Sequence, residues 1–114
     1  MKIQILHNPR CSKSRLALQA LEEKDVTIEV IEYLKEPVTV AQLTEIIDLL
    51  GIKPVELLRK NEAIYKEQFK GKELSDTEWI QAMIDFPKLM ERPIVIKDGK
   101  AVVARPTEKI EELF

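Results

Sequence analysis

The spacing of apolar and polar positions predicts a strand, a helix and a second strand at the start of the chain. Residues 1–6 form a short apolar run with β-branched side chains, which an Asn-Pro pair ends. Residues 12–24 repeat apolar side chains with helical spacing, and residues 26–31 alternate as a second strand. The apolar face of the predicted helix consists of Leu16, Ala17, Ala20 and Leu21. Two strands joined by a crossover helix are expected to be parallel.

The middle of the chain, roughly 39–86, has the pattern of consecutive helices without a strand. Thr39 is a candidate cap for a helix that ends near Gly51, since glycine readily adopts the left-handed conformation that follows a helix. Ser75 followed by Glu78 is a capping-box signature, and it predicts the start of the last helix of this block. Shorter helices are predicted between these two.

The last part of the chain predicts a β-hairpin and a closing helix. The apolar runs 94–96 and 101–104 flank an Asp-Gly pair, which two-residue hairpin turns prefer. A last helix is predicted over 108–113. The complete order, βαβ, a helical block and ββα, predicts an α/β fold with a four-stranded mixed sheet, similar to the thioredoxin-like arrangement. We expect a single domain over 1–114, with the helical block inserted at about 39–86.

Composition and charge narrow the class of protein. Hydrophobic residues make up 45% and charged residues 33% of the 114 positions, which is typical of a globular chain. The formal net charge of −2 does not favour nucleic-acid binding. No apolar run approaches the roughly 20 residues that cross a bilayer, and the first run is too short for a secretory signal.

The count of cysteines and histidines bears on compartment and cofactors. One cysteine excludes an internal disulfide, which favours a reducing cytoplasm. One cysteine and one histidine argue against a structural zinc site, and we expect no metal and no bound cofactor. We also expect the chain to act as a monomer, with no nucleic-acid or membrane partner.

The only cysteine, Cys11, lies where the loop after the first strand meets the predicted helix. Unpaired N–H groups and the dipole at a helix start favour the thiolate, which is the reactive form of cysteine. A lone cysteine is often an inert buried residue, but this position favours a nucleophile in a site that holds an oxyanion. His7 could favour the thiolate by charge or hydrogen bond, or it could be an ordinary surface or core histidine.

Three arginines are candidate ligands for that oxyanion. Arg92 and Arg105 each precede a proline and border a strand of the predicted hairpin, so both could project towards Cys11. Arg59 follows an apolar pair at a helix end. Forked guanidinium donors suit a tetrahedral oxyanion such as arsenate, although most arginines are solvated surface residues. Pro93, at the strand entry, is a candidate cis proline.

Several motifs, in order along the chain, resemble those of the arsenate reductase (ArsC) family of the glutaredoxin-coupled type. They are His7-Asn8-Pro9-x-Cys11 with Ser14-Arg15, Leu57-Leu58-Arg59-Lys60, Pro87-x-Leu89-x-x-Arg92-Pro93-Ile94, and Arg105-Pro106. The resemblance covers essentially the whole chain. The loop sequence Cys-Ser-Lys-Ser-Arg is closer to chromosomal, YfgD-like members than to plasmid-type enzymes, which carry Gly-Thr between the Cys and the Ser.

The resemblance implies a thioredoxin-like fold with a cis peptide bond before Pro93. It implies that Cys11 attacks arsenate to form a thioarsenate adduct, and that His7 lowers the pKa of the cysteine. The residues that it assigns to oxyanion or substrate binding are Arg59, Arg92, Arg105, Ser14 and Arg15.

A chain without a second cysteine cannot resolve such an adduct by itself, so external thiols must complete the cycle. Glutathione followed by glutaredoxin is the expected pair, with arsenite as the product. Two alternatives stay open. An Spx-like regulatory module that contacts RNA polymerase typically carries Cys-x-x-Cys, whereas Ser14 occupies the fourth position here. A monothiol oxidoreductase acting on glutathione mixed disulfides would not need the three arginines.

Overall fold

The computed structural model describes residues 2–114, which fold as two compact units. One unit combines the chain up to Glu36 with Arg92–Phe114, and the other is Pro37–Glu91. The second unit contains the predicted helical block. That the whole chain forms one domain stays a prediction.

The first unit is built on a four-stranded sheet in the order β2-β1-β3-β4. Its strands are β1 (Lys2–Leu6), β2 (Thr27–Ile31), β3 (Ile94–Lys97) and β4 (Lys100–Val103). The central strand β1 is parallel to β2 and antiparallel to β3, and β3 is antiparallel to β4. The α/β fold with a mixed sheet is therefore confirmed.

The hairpin between β3 and β4 has the turn that its sequence predicts. Asp98 has a φ of 47° and Gly99 a φ of 75°. Positive φ at both central positions matches the right-handed twist of the flanking strands, which is why Asp-Gly is preferred there. The turn sets the register that pairs Ile94 with Val103.

Helix α1 (Ser12–Glu22) supplies one layer of the core against this sheet. Its Ala17 and Leu21 are fully buried, whereas Leu16 is 47% exposed. The buried face thus consists of Ser14, Ala17 and Leu21, which are three and four residues apart. The prediction that Leu16 belongs to this face was wrong. The core cluster of this unit consists of Ile3, Ile5, Ala17, Leu21, Val95, Ala104, Ile110 and Leu113.

The closing segment of the chain differs in type from the prediction. Thr107–Leu113 is a 3₁₀ helix and not an α-helix, although it buries Ile110 and Leu113 as an amphipathic segment should. The sequence signals the apolar spacing but carries little information on which of the two closely related helices forms.

The second unit contains three α-helices and two short 3₁₀ helices. They are α2 (Val40–Leu50), a 3₁₀ helix at Pro54–Leu57, α3 (Ala63–Gln68), α4 (Asp76–Asp85) and a 3₁₀ helix at Pro87–Leu89. An isolated antiparallel bridge between Leu58 and Met90, which the sequence did not predict, pairs the residue after the first 3₁₀ helix with the residue after the second. Across residues 2–114, no helix has the length and apolar character needed to cross a membrane.

Replacing Thr39 by alanine is expected to destabilise the protein by about 1 kcal/mol. The Thr39 hydroxyl accepts a hydrogen bond from the Gln42 N–H at 3.1 Å, and the Gln42 side chain accepts from the Thr39 N–H at 2.8 Å. Removing the hydroxyl leaves a helix N–H without this partner. The free energy of unfolding from urea titration measures the effect.

Thr44→Ala is the matched control on the same helix. The Thr44 hydroxyl donates to the Val40 carbonyl at 2.7 Å, inside the helix, so no terminal N–H loses a partner. Alanine has the higher helix propensity, and we expect little change or a small gain in stability. Equal losses for the two variants would contradict the capping interpretation.

Candidate active site

The loop between β1 and α1 is organised around the buried side chain of Ser14. Ser14 has no exposed surface, and His7 is only 5% exposed. The Ser14 Oγ lies 2.7 Å from His7 Nδ1 and accepts a hydrogen bond from the Asn8 N–H at 3.0 Å. One hydroxyl in the first turn of α1 therefore ties the helix to the end of the preceding strand.

Further hydrogen bonds close the loop on itself. The Asn8 carbonyl accepts from the Cys11 N–H, and the Asn8 side chain accepts from the Arg10 N–H, both at 3.0 Å. The Arg15 guanidinium donates to the Pro9 carbonyl at 2.9 Å. Arg15 thus contacts the loop itself, and its assignment to substrate binding stays a prediction.

Cys11 occupies the N-cap position of α1 in an extended conformation, and it is 9% exposed. Burial raises the pKa of its thiol, because it disfavours the charged form. Hydrogen bonding from the backbone of Ser14 and Lys13 and the charges of Arg92 and Arg105 act in the opposite direction. Together they lower the pKa of Cys11 below its ordinary value. The position therefore favours a nucleophilic thiolate.

Arg92 and Arg105 flank the β3–β4 hairpin, and both act on the Cys11 thiol as positive charges. Arg92 has a second property. Its Nε and Nη1 atoms are buried, and within residues 2–114 they have no hydrogen-bond partner. Buried donors without partners are rare and costly, and these belong to a guanidinium whose charge acts on the Cys11 thiol. These are the donors that an oxyanion requires.

His7 contacts the Ser14 hydroxyl, and the surroundings of the imidazole favour its neutral form. Burial is the largest cause that lowers the pKa of His7, and the charge of Arg15 adds to it, while the charge of Glu32 opposes both. The imidazole is hydrogen-bonded to the Ser14 hydroxyl. His7 therefore contacts Ser14 directly. That His7 lowers the pKa of Cys11 stays a prediction.

Arg59 lies in the second unit, where it is held by acidic side chains. Its Nη1 is 3.2 Å from Glu62 Oε2 and its Nε is 3.7 Å from Glu91 Oε1. Its backbone N–H donates to the Leu89 carbonyl at 2.7 Å, next to the bridge between Leu58 and Met90. The assignment of Arg59 to the oxyanion site stays a prediction.

The peptide bond between Arg92 and Pro93 is cis, and so is the bond between Arg105 and Pro106. The cis bond before Pro93 was predicted, and the one before Pro106 was not. The part of the chain described here, 2–114, contains no group of three Cys, His, Asp or Glu side chains arranged to hold a metal ion. The site therefore offers a thiol, backbone N–H groups and guanidinium donors.

Lys13 and Glu32 contribute to the site although their sequence pattern does not indicate it. Lys13 acts through its backbone N–H, which no side-chain pattern reveals. Glu32 directly follows β2, and the carboxyl ends of parallel strands meet at one edge of a sheet. That rule could have placed Glu32 near the loop after β1.

Comparison with known proteins gives consistent matches over nearly the whole chain. The sequence model of the ArsC family matches residues 6–113. The uncharacterized protein YfgD of Escherichia coli K12 is 46% identical, covering 98% of this chain and 96% of its own length. A Neisseria meningitidis protein named arsenate reductase is 43% identical, with 99% and 98% covered.

Solved structures agree with the sequence relatives. A structure titled arsenate reductase from Vibrio cholerae superposes with a TM-score of 0.94 at 40% identity. The superposition covers 100% of this chain and 98% of the other. The thioredoxin-like fold that the sequence predicted is therefore confirmed.

Replacing Arg92 by methionine is expected to raise the pKa of the Cys11 thiol. The positive charge that Arg92 places near the sulfur favours the thiolate, and methionine fills similar space without that charge. Iodoacetamide alkylation followed against pH measures the pKa. The variant should be alkylated more slowly near neutral pH.

Lys100→Met is the matched control, because Lys100 lies on the same hairpin at the opposite end from Arg92. We expect its alkylation profile to follow that of the parent protein. If the two variants shift the profile equally, the local effect of Arg92 on the thiolate is disproved.

Proposed function

The chain belongs to the ArsC family, and on that premise we propose that it is an arsenate reductase-like oxidoreductase with Cys11 as its nucleophile. The observation that carries the proposal is that Arg92, whose charge helps to lower the pKa of the Cys11 thiol, has two buried nitrogen atoms, Nε and Nη1, without hydrogen-bond partners. A tetrahedral oxyanion supplies the acceptors that these donors lack. The names of the relatives favour arsenate as that oxyanion.

The first step is attack of the Cys11 thiolate on arsenic. A sulfur–arsenic bond forms while one arsenate oxygen is protonated and leaves as water. Arg92 and Arg105 neutralise the charge of the remaining oxygens, and preorganised donors of this kind stabilise a transition state without reorganisation. If Arg59 reaches the substrate, as the family resemblance implies, it adds a third guanidinium.

The second step needs an external thiol, since Cys11 is the only cysteine. The thiolate of glutathione attacks Sγ of Cys11, and the electron pair of the sulfur–arsenic bond stays on arsenic. Arsenic(V) becomes arsenic(III) and leaves as arsenite, while the two sulfurs form a mixed disulfide. Glutaredoxin then reduces this disulfide by thiol exchange and restores the Cys11 thiolate.

This cycle belongs in a reducing compartment, and we propose that the protein acts as a cytoplasmic monomer. Glutathione and glutaredoxin are consumed as co-reactants and are not resident cofactors. Each turnover depends on their supply, which a reducing cytoplasm maintains.

Replacing Cys11 by serine is expected to abolish arsenate reduction and leave the fold intact. A serine hydroxyl is a far weaker nucleophile at neutral pH and cannot form the mixed disulfide. Glutaredoxin-coupled oxidation of NADPH with arsenate measures turnover, and thermal unfolding checks the fold. Retained turnover would overturn the assignment. Replacing arsenate by a glutathionylated peptide in the same assay tests the monothiol alternative.

Arg92→Lys is expected to lower kcat/KM for arsenate about tenfold or more, because a lysine ammonium cannot replace a planar fork of donors. Since the charge is kept, the pKa of Cys11 should change little, and alkylation of the thiol provides the internal control. An unchanged kcat/KM would show that Arg92 does not contact the oxyanion.

A further inference from the structure

The guanidinium of Arg59 is held by two carboxylates of the second unit. Its Nη1 lies 3.2 Å from Glu62 Oε2, and its Nε lies 3.7 Å from Glu91 Oε1. The side chains of Arg59, Glu62 and Glu91 are 21%, 27% and 31% exposed. Each is more than two-thirds buried, which distinguishes this cluster from the fully solvated ion pairs that contribute little on a protein surface.

The backbone around the cluster is held by the bridge between Leu58 and Met90. The N–H groups of Arg59 and Glu91, each the residue after a bridged one, donate to the opposite segment at 2.7 Å and 2.8 Å. The Glu62 N–H donates to the Arg59 carbonyl at 3.1 Å and closes a turn. Main-chain hydrogen bonds therefore bring all three charged residues together, so the side-chain contacts start from fixed Cα positions.

One of the two carboxylates belongs to the segment that leads into the candidate active site. Glu91 directly precedes Arg92, whose charge acts on the Cys11 thiol. The contact between Glu91 and Arg59 thus links Arg59 to the segment that carries this oxyanion donor. This link follows from printed contacts and chain connectivity, and it does not depend on the family resemblance.

The two carboxylates fix the orientation of Arg59 but leave part of it unused. A guanidinium is planar and carries five N–H groups, so contacts at Nη1 and Nε fix its plane. Both hydrogens of Nη2 remain for another acceptor. Since two carboxylates outweigh one guanidinium, the cluster does not attract an anion by net charge. What Arg59 offers an oxyanion is therefore directed N–H groups.

We propose that Glu62 and Glu91 are positioning residues, which hold the guanidinium of Arg59 in one orientation for the oxyanion. They act through Arg59 and do not contact the substrate. This inference rests on the proposed function, in which Arg59 adds a third guanidinium. A donor that is already oriented needs no reorganisation when charge develops on the oxyanion, so positioning raises kcat and not the affinity for the ground state.

The test is Glu62→Gln in the full chain, assayed by glutaredoxin-coupled NADPH oxidation at varied arsenate. Glutamine keeps the size of the side chain but releases the closest anchor of Arg59, and we expect kcat to fall about five- to tenfold. KM should not rise, because the substitution also removes a negative charge that repels the anionic substrate. Sulfate, an unreactive tetrahedral oxyanion, should inhibit the variant at least as strongly as the parent.

Glu112→Gln is the matched control, because Glu112 pairs with Lys109 at 3.5 Å with the same spacing of three residues. We expect its kcat and KM to equal those of the parent. Arg59→Met provides the background for a double-mutant cycle, in which adding Glu62→Gln or Glu91→Gln should lower kcat no further. If thermal unfolding shows that the methionine variant is unfolded, Arg59→Lys replaces it, since lysine keeps the charge without the planar fork.

An unchanged kcat in Glu62→Gln, or a raised KM, would overturn the proposal. Equal losses of kcat in the parent and in the Arg59→Met background would also overturn it, because Glu62 would then act without Arg59. An Arg59→Met variant with the kcat/KM of the parent would reject this inference alone. The proposed function fails separately, if Cys11→Ser retains turnover.

Discussion

A single buried hydroxyl, on Ser14, holds the nucleophile in place. It is bonded to both the imidazole of His7 and the N–H of Asn8, so it joins the end of β1 to the first turn of α1. Moving the loop would leave buried polar groups without partners, at about 1–3 kcal/mol for each group. The Cys11 backbone is therefore fixed at the helix start, where backbone hydrogen bonds from Lys13 and Ser14, in the first turn of α1, act on its sulfur.

In the proposed cycle, the same groups stabilise the thiolate and bind the anion that it attacks. Burial opposes ionisation of Cys11, and the site overcomes it with N–H donors and the charges of Arg92 and Arg105. The buried, unpartnered donors of Arg92 make the free protein less stable than one with satisfied groups. Binding an oxyanion removes that cost, and because the donors are already oriented, little reorganisation is needed.

Local signals predicted the parts of the structure that depend on neighbours in sequence. The helix cap at Thr39, the capping box at Ser75 and the Asp-Gly turn have the expected geometry, because each is decided within a few residues. Arg92 and Arg105 were found because each borders a strand of that hairpin. The Leu58–Met90 bridge and the exposure of Leu16 depend on contacts remote in sequence, which no local pattern contains. Arg59 was a candidate from its place at a helix end and from the family resemblance, and its ion pair with Glu91, which is remote in sequence, could not be predicted from spacing.

The presence of one cysteine sets opposing requirements on the site. An oxyanion is held best where water is excluded, yet a resolving thiol has to reach the same sulfur from outside. A Cys11 that is 9% exposed satisfies the first requirement. The second requirement is met if the external thiol approaches Cys11 from one side only. The residues around Cys11 differ in this way, because Pro9 and Arg10 are exposed while His7 and Ser14 are buried. A chain with a second cysteine could resolve the adduct internally, whereas Cys11 is the only cysteine here, so in the proposed cycle the resolving thiol comes from another molecule.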